Sequence, residues 1–197
     1  MAGPGTPAIT PGKPPSAVPL LALPSGELVT ESLSIIEYLE DIAESQDMPS
    51  LRGSTPVERA KMRTLLGLIE IVTLSVEFAA VNGSVAFTRL VEGQQGAGVE
   101  HWLVAFIHNI SRIEDIADPQ GPFLDKPKDG NREVTTADCA LFATLQYASK
   151  LRGLNLVKEH PKLKLFYDTF EKRPNAAVPE NTWPREMTMM TRKFIEF

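Results

Sequence analysis

The spacing of apolar residues changes period several times along this chain, and each change marks an element. Residues 18–23 form a short apolar run and residues 28–30 a second one. Between them, Pro24-Ser25-Gly26-Glu27 supplies turn chemistry. Proline sets φ at the start and glycine allows it to turn positive, so the two runs read as a β-hairpin. Beyond Thr30 the period lengthens. Leu33, Ile36, Leu39 and Ile42 recur at helical spacing, Glu37, Glu40, Asp41 and Glu44 fall on the expected wet side, and Ser32 is the expected N-cap. A two-stranded hairpin is marginal by itself, so this unit needs something to pair with or pack on.

Residues 46–54, with Pro49 and Gly53, read as a linker, and the chain beyond them reads as helical. Thr55-Pro56 sets a cap before a proline at the first helical position and opens a long pattern over 57–81. Its stripe of Leu65, Leu66, Ile69, Val72, Val76 and Phe78 is expected to be core and interface. Asn82-Gly83 interrupts it. A second helix is predicted over 99–117 and a third from Thr135 to Arg152-Gly153. A fourth runs over 161–172 and stops at Arg173-Pro174, and a short last helix falls within 183–197. Residues 119–131, with their prolines and glycines, read as a long connecting loop.

Composition narrows the class. Apolar residues make up 43% and charged residues 23%, so a packed core is within reach. A net charge of −5 argues against a nucleic-acid partner and against attraction to an anionic membrane. The single cysteine, Cys139, excludes a disulfide within the chain and suits a reducing compartment such as the cytoplasm; it is expected to be a small core residue. The first fourteen residues hold four prolines and no apolar core, unlike a secretion signal. No apolar run is expected to approach the roughly 20 residues of a membrane helix. The histidines give no metal set, since His101 and His108 stand seven apart on one helix and His160 lies elsewhere.

The chemistry concentrates between Val18 and Ser32. A proline at the start of a strand leaves the backbone groups of the preceding residue unpaired, and a short peptide laid alongside can pair with them. Ser32 opens a helix, whose N-terminal N–H groups and dipole favour a carboxylate. Glu31 beside it offers negative charge to an ammonium group. Taken by spacing alone, the same residues also serve as a plain strand start and a plain helix cap. Further along, Thr135 and Asp138 stand at capping-box spacing with Val134 placed to staple the turn.

The run VPLLALPSGELVTESLSIIEYLE from Val18 resembles the central motif of cytosolic glutathione transferases. Val134 to Ala140 resembles the capping-box motif in the core of that family's helical domain, and HPKLKLFYDTFEKRPN from His160 resembles its last conserved helices. The order and spacing agree, over a stretch from Lys13 to Asn175. The chain is thereby identified with the family as a fungal-type member with a shortened first domain. The resemblance implies α/β plus all-α: a partial thioredoxin-like glutathione-binding portion over residues 1–46, then an all-helical domain over 55–197. It also implies a homodimer.

For the site, the resemblance implies glutathione as cosubstrate. Val18 would hydrogen-bond its cysteinyl backbone, Pro19 would be cis, and Glu31 and Ser32 would bind the γ-glutamyl group. Lys13 would reach the glycyl carboxylate. Thr135 and Asp138 would be structural, and Met62, Arg63, Leu66 and Phe87 would wall the pocket of a small electrophilic organic substrate. One departure stands out. Family members carry a strand, a helix and another strand before the Val-Pro motif, and the first strand bears the Tyr, Ser or Cys that activates the sulfur. Here 17 residues precede Val18, with Thr6, Thr10 and Ser16 as their hydroxyls. A thiol with a pKa of about 8.5 is only slightly ionised at neutral pH, so it needs help. Ser16 is the candidate donor, with Arg63, Asn82 and Arg89 as basic or polar alternatives. The expected activity is conjugation of an electrophile, or cis–trans isomerisation of an activated double bond by reversible thiol addition, suited to secondary metabolism. The other reading, which the shortened first domain favours, is a non-catalytic binding or scaffolding module, as in elongation-factor gamma subunits.

Overall fold

The computed structural model describes residues 19–46, 48, 51–53, 55–88, 91–117, 134–179 and 182–193. The chain divides into two compact units, Met1–Ser50 and Leu51–Phe197. The expected loop over 119–131, the segment through Val18, and Arg89 lie outside the described residues.

In the first unit, strand β1 (Leu20–Ala22) pairs antiparallel with β2 (Leu28–Thr30), with Leu20 opposite Thr30 and Ala22 opposite Leu28. The connecting loop is closed by Leu23 N–H donating to Glu27 O and Gly26 N–H donating to Leu23 O, both at 2.9 Å. Gly26 lies at φ 89°, the left-handed residue that a tight hairpin loop requires. Helix α1 (Ser32–Ser45) packs on β2. Its inward face differs from the one expected. Leu33 and Ile36 are half-buried, but Leu39 is 51% and Ile42 40% exposed, while Glu40, expected on the wet side, is buried. The reason is geometric. A step of three residues advances roughly 300° around a helix, so three such steps put Ile42 on the side opposite Leu33. The inward seam instead passes through Leu33, Ile36, Glu40 and Ala43.

The second unit is helical: α2 (Pro56–Gly83), α3 (Gly96–Ile116), α4 (Thr136–Lys150), α5 (Pro161–Phe170) and α6 (Arg185–Arg192), with a short 3₁₀ turn over Val85–Phe87. A short α/β portion followed by an all-helical domain is the architecture expected. Helix α2 packs on α3 and α4, and Val72, Ala79, Ala80, Ile110, Ile113, Ala137 and Leu141 lose all contact with solvent. Each large side chain so buried contributes about 1.5–3 kcal/mol. Phe78 leaves this core, being 41% exposed and stacked on Trp102 at 4.7 Å. The apolar character of α2 exceeds the expectation from unbroken runs. By length and composition alone it passes for a membrane span, yet half of that stretch is buried within the bundle.

Side chains close several helix starts in this unit. Thr55 and Glu58 form a capping box on α2, with Glu58 N–H to Thr55 Oγ1 at 3.2 Å and Thr55 N–H to Glu58 Oε2 at 3.1 Å. Thr135 and Asp138 form another on α4, with Thr135 N–H to Asp138 Oδ2 at 2.8 Å. Helix α5 is capped from a distance: Glu114 of α3 accepts from Lys162 N–H at 3.0 Å and Leu163 N–H at 3.1 Å. Helix α6 is tied down by Thr191 Oγ1 donating to Leu151 O at 2.8 Å and Ser84 Oγ donating to Met190 O at 3.2 Å. Cys139, expected in the core, is exposed. The residues around it, Thr136 to Asp138 and Leu141, take the inward face of α4, which leaves Cys139 pointing outward.

Candidate functional site

The hairpin does the first part of the assembly. Twelve residues separate Pro19 from Glu31 in sequence, but the register that pairs Leu20 with Thr30, continued one step, sets Pro19 across from Glu31. Both residues are exposed at this open end of the ladder, as is Ser32.

Glu31 is where the backbone is unusual. It lies at φ 68° and ψ 124°, between the last residue of β2 and the first of α1. Among the described residues, only Glu31 and Asn175 are non-glycines with positive φ. Asparagine tolerates that region because its short amide can bond locally; glutamate gains nothing comparable, so the conformation costs about 1–3 kcal/mol. Such strain persists only where surrounding structure enforces it, and it gathers at ligand sites.

Glu31 occupies the N-cap position of α1, so Ser32, the expected cap, is the first helical residue instead. The Glu31 side chain makes no capping hydrogen bond, and no acidic residue stands in the first turn. The first helical bond of this turn runs from Ile35 N–H to Glu31 O at 3.0 Å. The preceding N–H groups, of Ser32, Leu33 and Ser34, lie at an end that no side-chain cap closes. That is an electropositive corner with an exposed hydroxyl and an exposed carboxylate on its rim, and it can take the carboxylate and ammonium of an α-amino acid together. Sequence spacing found these residues but missed the strain. No sequence signal marks it, since glutamate has no preference for positive φ.

The other expected site residues scatter. Lys13, Ser16 and Val18 lie outside the described residues. Met62 and Leu66 are buried among the core residues of α2, while Arg63 between them is exposed. Phe87 stands beyond the far end of α2. At about 1.5 Å of rise per residue, roughly 30 Å of helix separates it from Met62, so the four do not line one pocket within this unit. Phe87 is also engaged elsewhere, beneath the Arg152 guanidinium at 5.4 Å.

Arg152 anchors a polar cluster that the sequence did not announce. Its Nη2 donates to Glu77 Oε2 at 3.0 Å and its Nε to the Tyr147 hydroxyl at 2.9 Å, and it lies over the Tyr147 ring. Burial pushes the Tyr147 phenol well above its ordinary pKa, and the Glu77 carboxylate adds to this, while Arg152 opposes it. This cluster joins α2, α4 and the 3₁₀ turn. Among the described residues, no group of three or more His, Cys, Asp or Glu side chains is placed to hold a metal ion.

Residues 121–177 match a family model described as glutathione S-transferase, C-terminal domain. The fold is similar to that of a glutathione S-transferase from Methylobacillus flagellatus KT with glutathione bound, with a TM-score of 0.66 and 23% identity over 81% of this chain and 75% of that one. A glutathione transferase family member from Pseudomonas fluorescens Pf-5, with S-(propanoic acid)-glutathione bound, matches with a TM-score of 0.64 and 17% identity over 85% and 78% of the two chains. One from Methylobacterium radiotolerans JCM 2831, in complex with glutathione sulfonate, matches with a TM-score of 0.64 and 20% identity over 85% and 76%. At these identities the likeness carries the fold, a thioredoxin-like portion followed by a helical domain. No curated protein matches the sequence.

Proposed function

We propose that this chain, which has the glutathione transferase fold and matches that family's C-terminal domain, binds glutathione and uses its thiol on a small electrophilic organic molecule. The observation that carries this reading is the uncapped start of α1 behind the strained Glu31. The γ-glutamyl carboxylate sits on the N–H groups of the first turn and the Ser32 hydroxyl, and the Glu31 carboxylate takes the ammonium group. The Val18 backbone, before Pro19, pairs with the cysteinyl unit in the manner of an added strand, and Lys13 takes the glycyl carboxylate. The bound glutathione or glutathione derivative of the three similar structures supports the same ligand here.

The thiol then needs a donor or a cation to favour its anionic form, and Ser16 is the hydroxyl assigned to it. The thiolate either displaces a leaving group and stays on the product, or adds to a conjugated double bond, lets the resulting single bond rotate, and leaves again. Analysis of product mass separates conjugation from isomerisation. Exposed Ile71, Leu74 and Phe78, three and four residues apart on one face of α2, support a homodimer, and the reading places the protein in the cytoplasm.

Calorimetric titration of the chain with glutathione tests the site. Binding in the micromolar to low-millimolar range is expected, and it should vanish in the double variant Glu31→Ala, Ser32→Ala without loss of fold. No heat at about 10 mM glutathione, or binding that survives the double change, removes the assignment. Binding without turnover of any electrophile or enone returns the scaffold reading.

A further inference from the structure

The helical unit holds a cleft of about 290 Å³ between α4, α5 and the segment that joins them. No residue assigned to glutathione lines it. Its floor and walls combine two kinds of group. Leu145, Leu156 and Val157 supply apolar lining, and Ser149 and Tyr167 bring hydroxyl-bearing side chains to the same cleft. Tyr167 is fixed against the core, its ring 5.2 Å from that of Phe142. Burial, together with the Glu171 and Asp168 carboxylates, raises the Tyr167 phenol above its ordinary pKa, so the hydroxyl stays a donor at neutral pH; Ser149 and Gln146 oppose that shift.

The rim carries Lys158, Lys164 and Asp168. Lys164 pairs with Asp168 one turn on. Lys158 pairs with its neighbour Glu159 at 3.7 Å, with both side chains more than three-quarters exposed, so that pair is weak and its ammonium is available to an incoming anion. The lining therefore holds two cations against one anion around an apolar floor.

Size and chemistry together limit the occupant. Ligand pockets usually span about 300–1,000 Å³, so this one takes a single ring rather than a nucleotide or a lipid chain. An ammonium ligand would meet two lysines. We propose that this cleft binds a small aromatic carboxylate, its ring on Leu145, Leu156 and Val157, its carboxylate at Lys158 and Lys164, and a hydroxyl borne on the ring accepting from the Tyr167 hydroxyl. The site is independent of the glutathione site and survives the failure of that assignment.

The probe is 4-hydroxybenzoate, titrated into the full chain while backbone amide shifts are followed by NMR. Saturable shifts are expected in residues 153–158 and 164–168, with a dissociation constant of about 1 mM or below, unchanged by saturating glutathione. Two surface variants then act in opposite senses, which loss of fold cannot imitate. Lys158→Gln removes a cation and weakens binding about two- to fivefold. Asp168→Asn removes the opposing carboxylate, releases Lys164, and tightens binding by a similar factor. Shifts centred elsewhere, no saturation by about 10 mM, or an unchanged constant in either variant overturns the proposal.

Discussion

At the start of α4, Thr135 N–H and hydroxyl both donate to the Asp138 carboxylate, at 2.8 and 2.7 Å, and Thr136 N–H donates to Leu51 O at 3.0 Å. Asp138 has no solvent exposure at all. At the start of α1, the N-cap Glu31 makes no capping bond, Glu31 and Ser32 are exposed, and the backbone is held at φ 68°. The two ends share one electrostatic character, an excess of N–H donors facing outward along a helix dipole. In α4 the excess is consumed inside the protein and becomes stability. In α1 it is left open, at a cost in strain, and becomes available to a ligand. The starts of α3 and α6 also lack a side-chain cap, so it is the combination of an open start with a strained residue, found at α1, that is a better functional marker than serine or glutamate at those positions.

The largest test of this contrast is Asp138→Ala. It removes a buried carboxylate and strands two Thr135 donors, so stability should fall by about 3 kcal/mol, read from urea unfolding. Glutathione affinity of the remaining folded fraction should be unchanged. A variant that kept its stability and lost affinity would reverse the roles of the two ends.

Glu31→Gly is the matching change at α1, with a smaller effect and opposite signs on its two readouts. Glycine adopts φ 68° without a Cβ penalty, so stability should rise by about 1 kcal/mol in thermal or urea unfolding. Loss of the carboxylate should weaken glutathione binding by about 2 kcal/mol, or roughly thirtyfold, by calorimetry. If stability falls instead, the positive φ is not strain held for a ligand, and the contrast with α4 loses its meaning.

Glu114→Ala probes a third kind of helix start, one closed by another helix. The carboxylate receives Lys162 and Leu163 N–H groups from α5, so its removal should cost about 1–2 kcal/mol in unfolding experiments. Glutathione affinity should again not move, since this end, like that of α4, is spent on structure.

These ends were not equally legible in the sequence. The Thr135–Asp138 box and the Thr55–Pro56 start depend on side-chain type at fixed local spacing, which is written directly in the residues. The hairpin was legible for the same reason, because Pro24 and Gly26 prescribe its turn. The inward face of α1 was not, because four apolar residues at a spacing of three describe no single face of a helix with 3.6 residues per turn. Leu39 and Ile42 end up exposed and Glu40 buried as a result. The φ of Glu31 was unreadable for a deeper reason: glutamate has no preference for that region, and the register of β1 with β2 and the packing of α1 impose it. Glu114 was unreadable because its partners are 48 and 49 residues away.

The smallest expected effect concerns pH, and it acts on the closed region alone. Tyr147 and Tyr167 both belong to the helical unit, and burial raises both phenols above the ordinary value of about 10. A raised acid favours its protonated form in the folded state. The associated stability is thus fully present below about pH 10 and is lost as pH climbs from there through the folded-state values. The decline is at most about 1.4 kcal/mol per pH unit for each tyrosine, and the partial exposure of both rings reduces it. Urea midpoints measured between about pH 8 and 11 should stay level and then fall, and Tyr147→Phe should flatten part of that fall. The same variant loses the hydroxyl that Arg152 contacts, so its midpoint below about pH 10 should sit lower throughout. An alkaline decline unaffected by Tyr147→Phe would mean that burial and the Glu77 carboxylate do not hold this phenol in its neutral form.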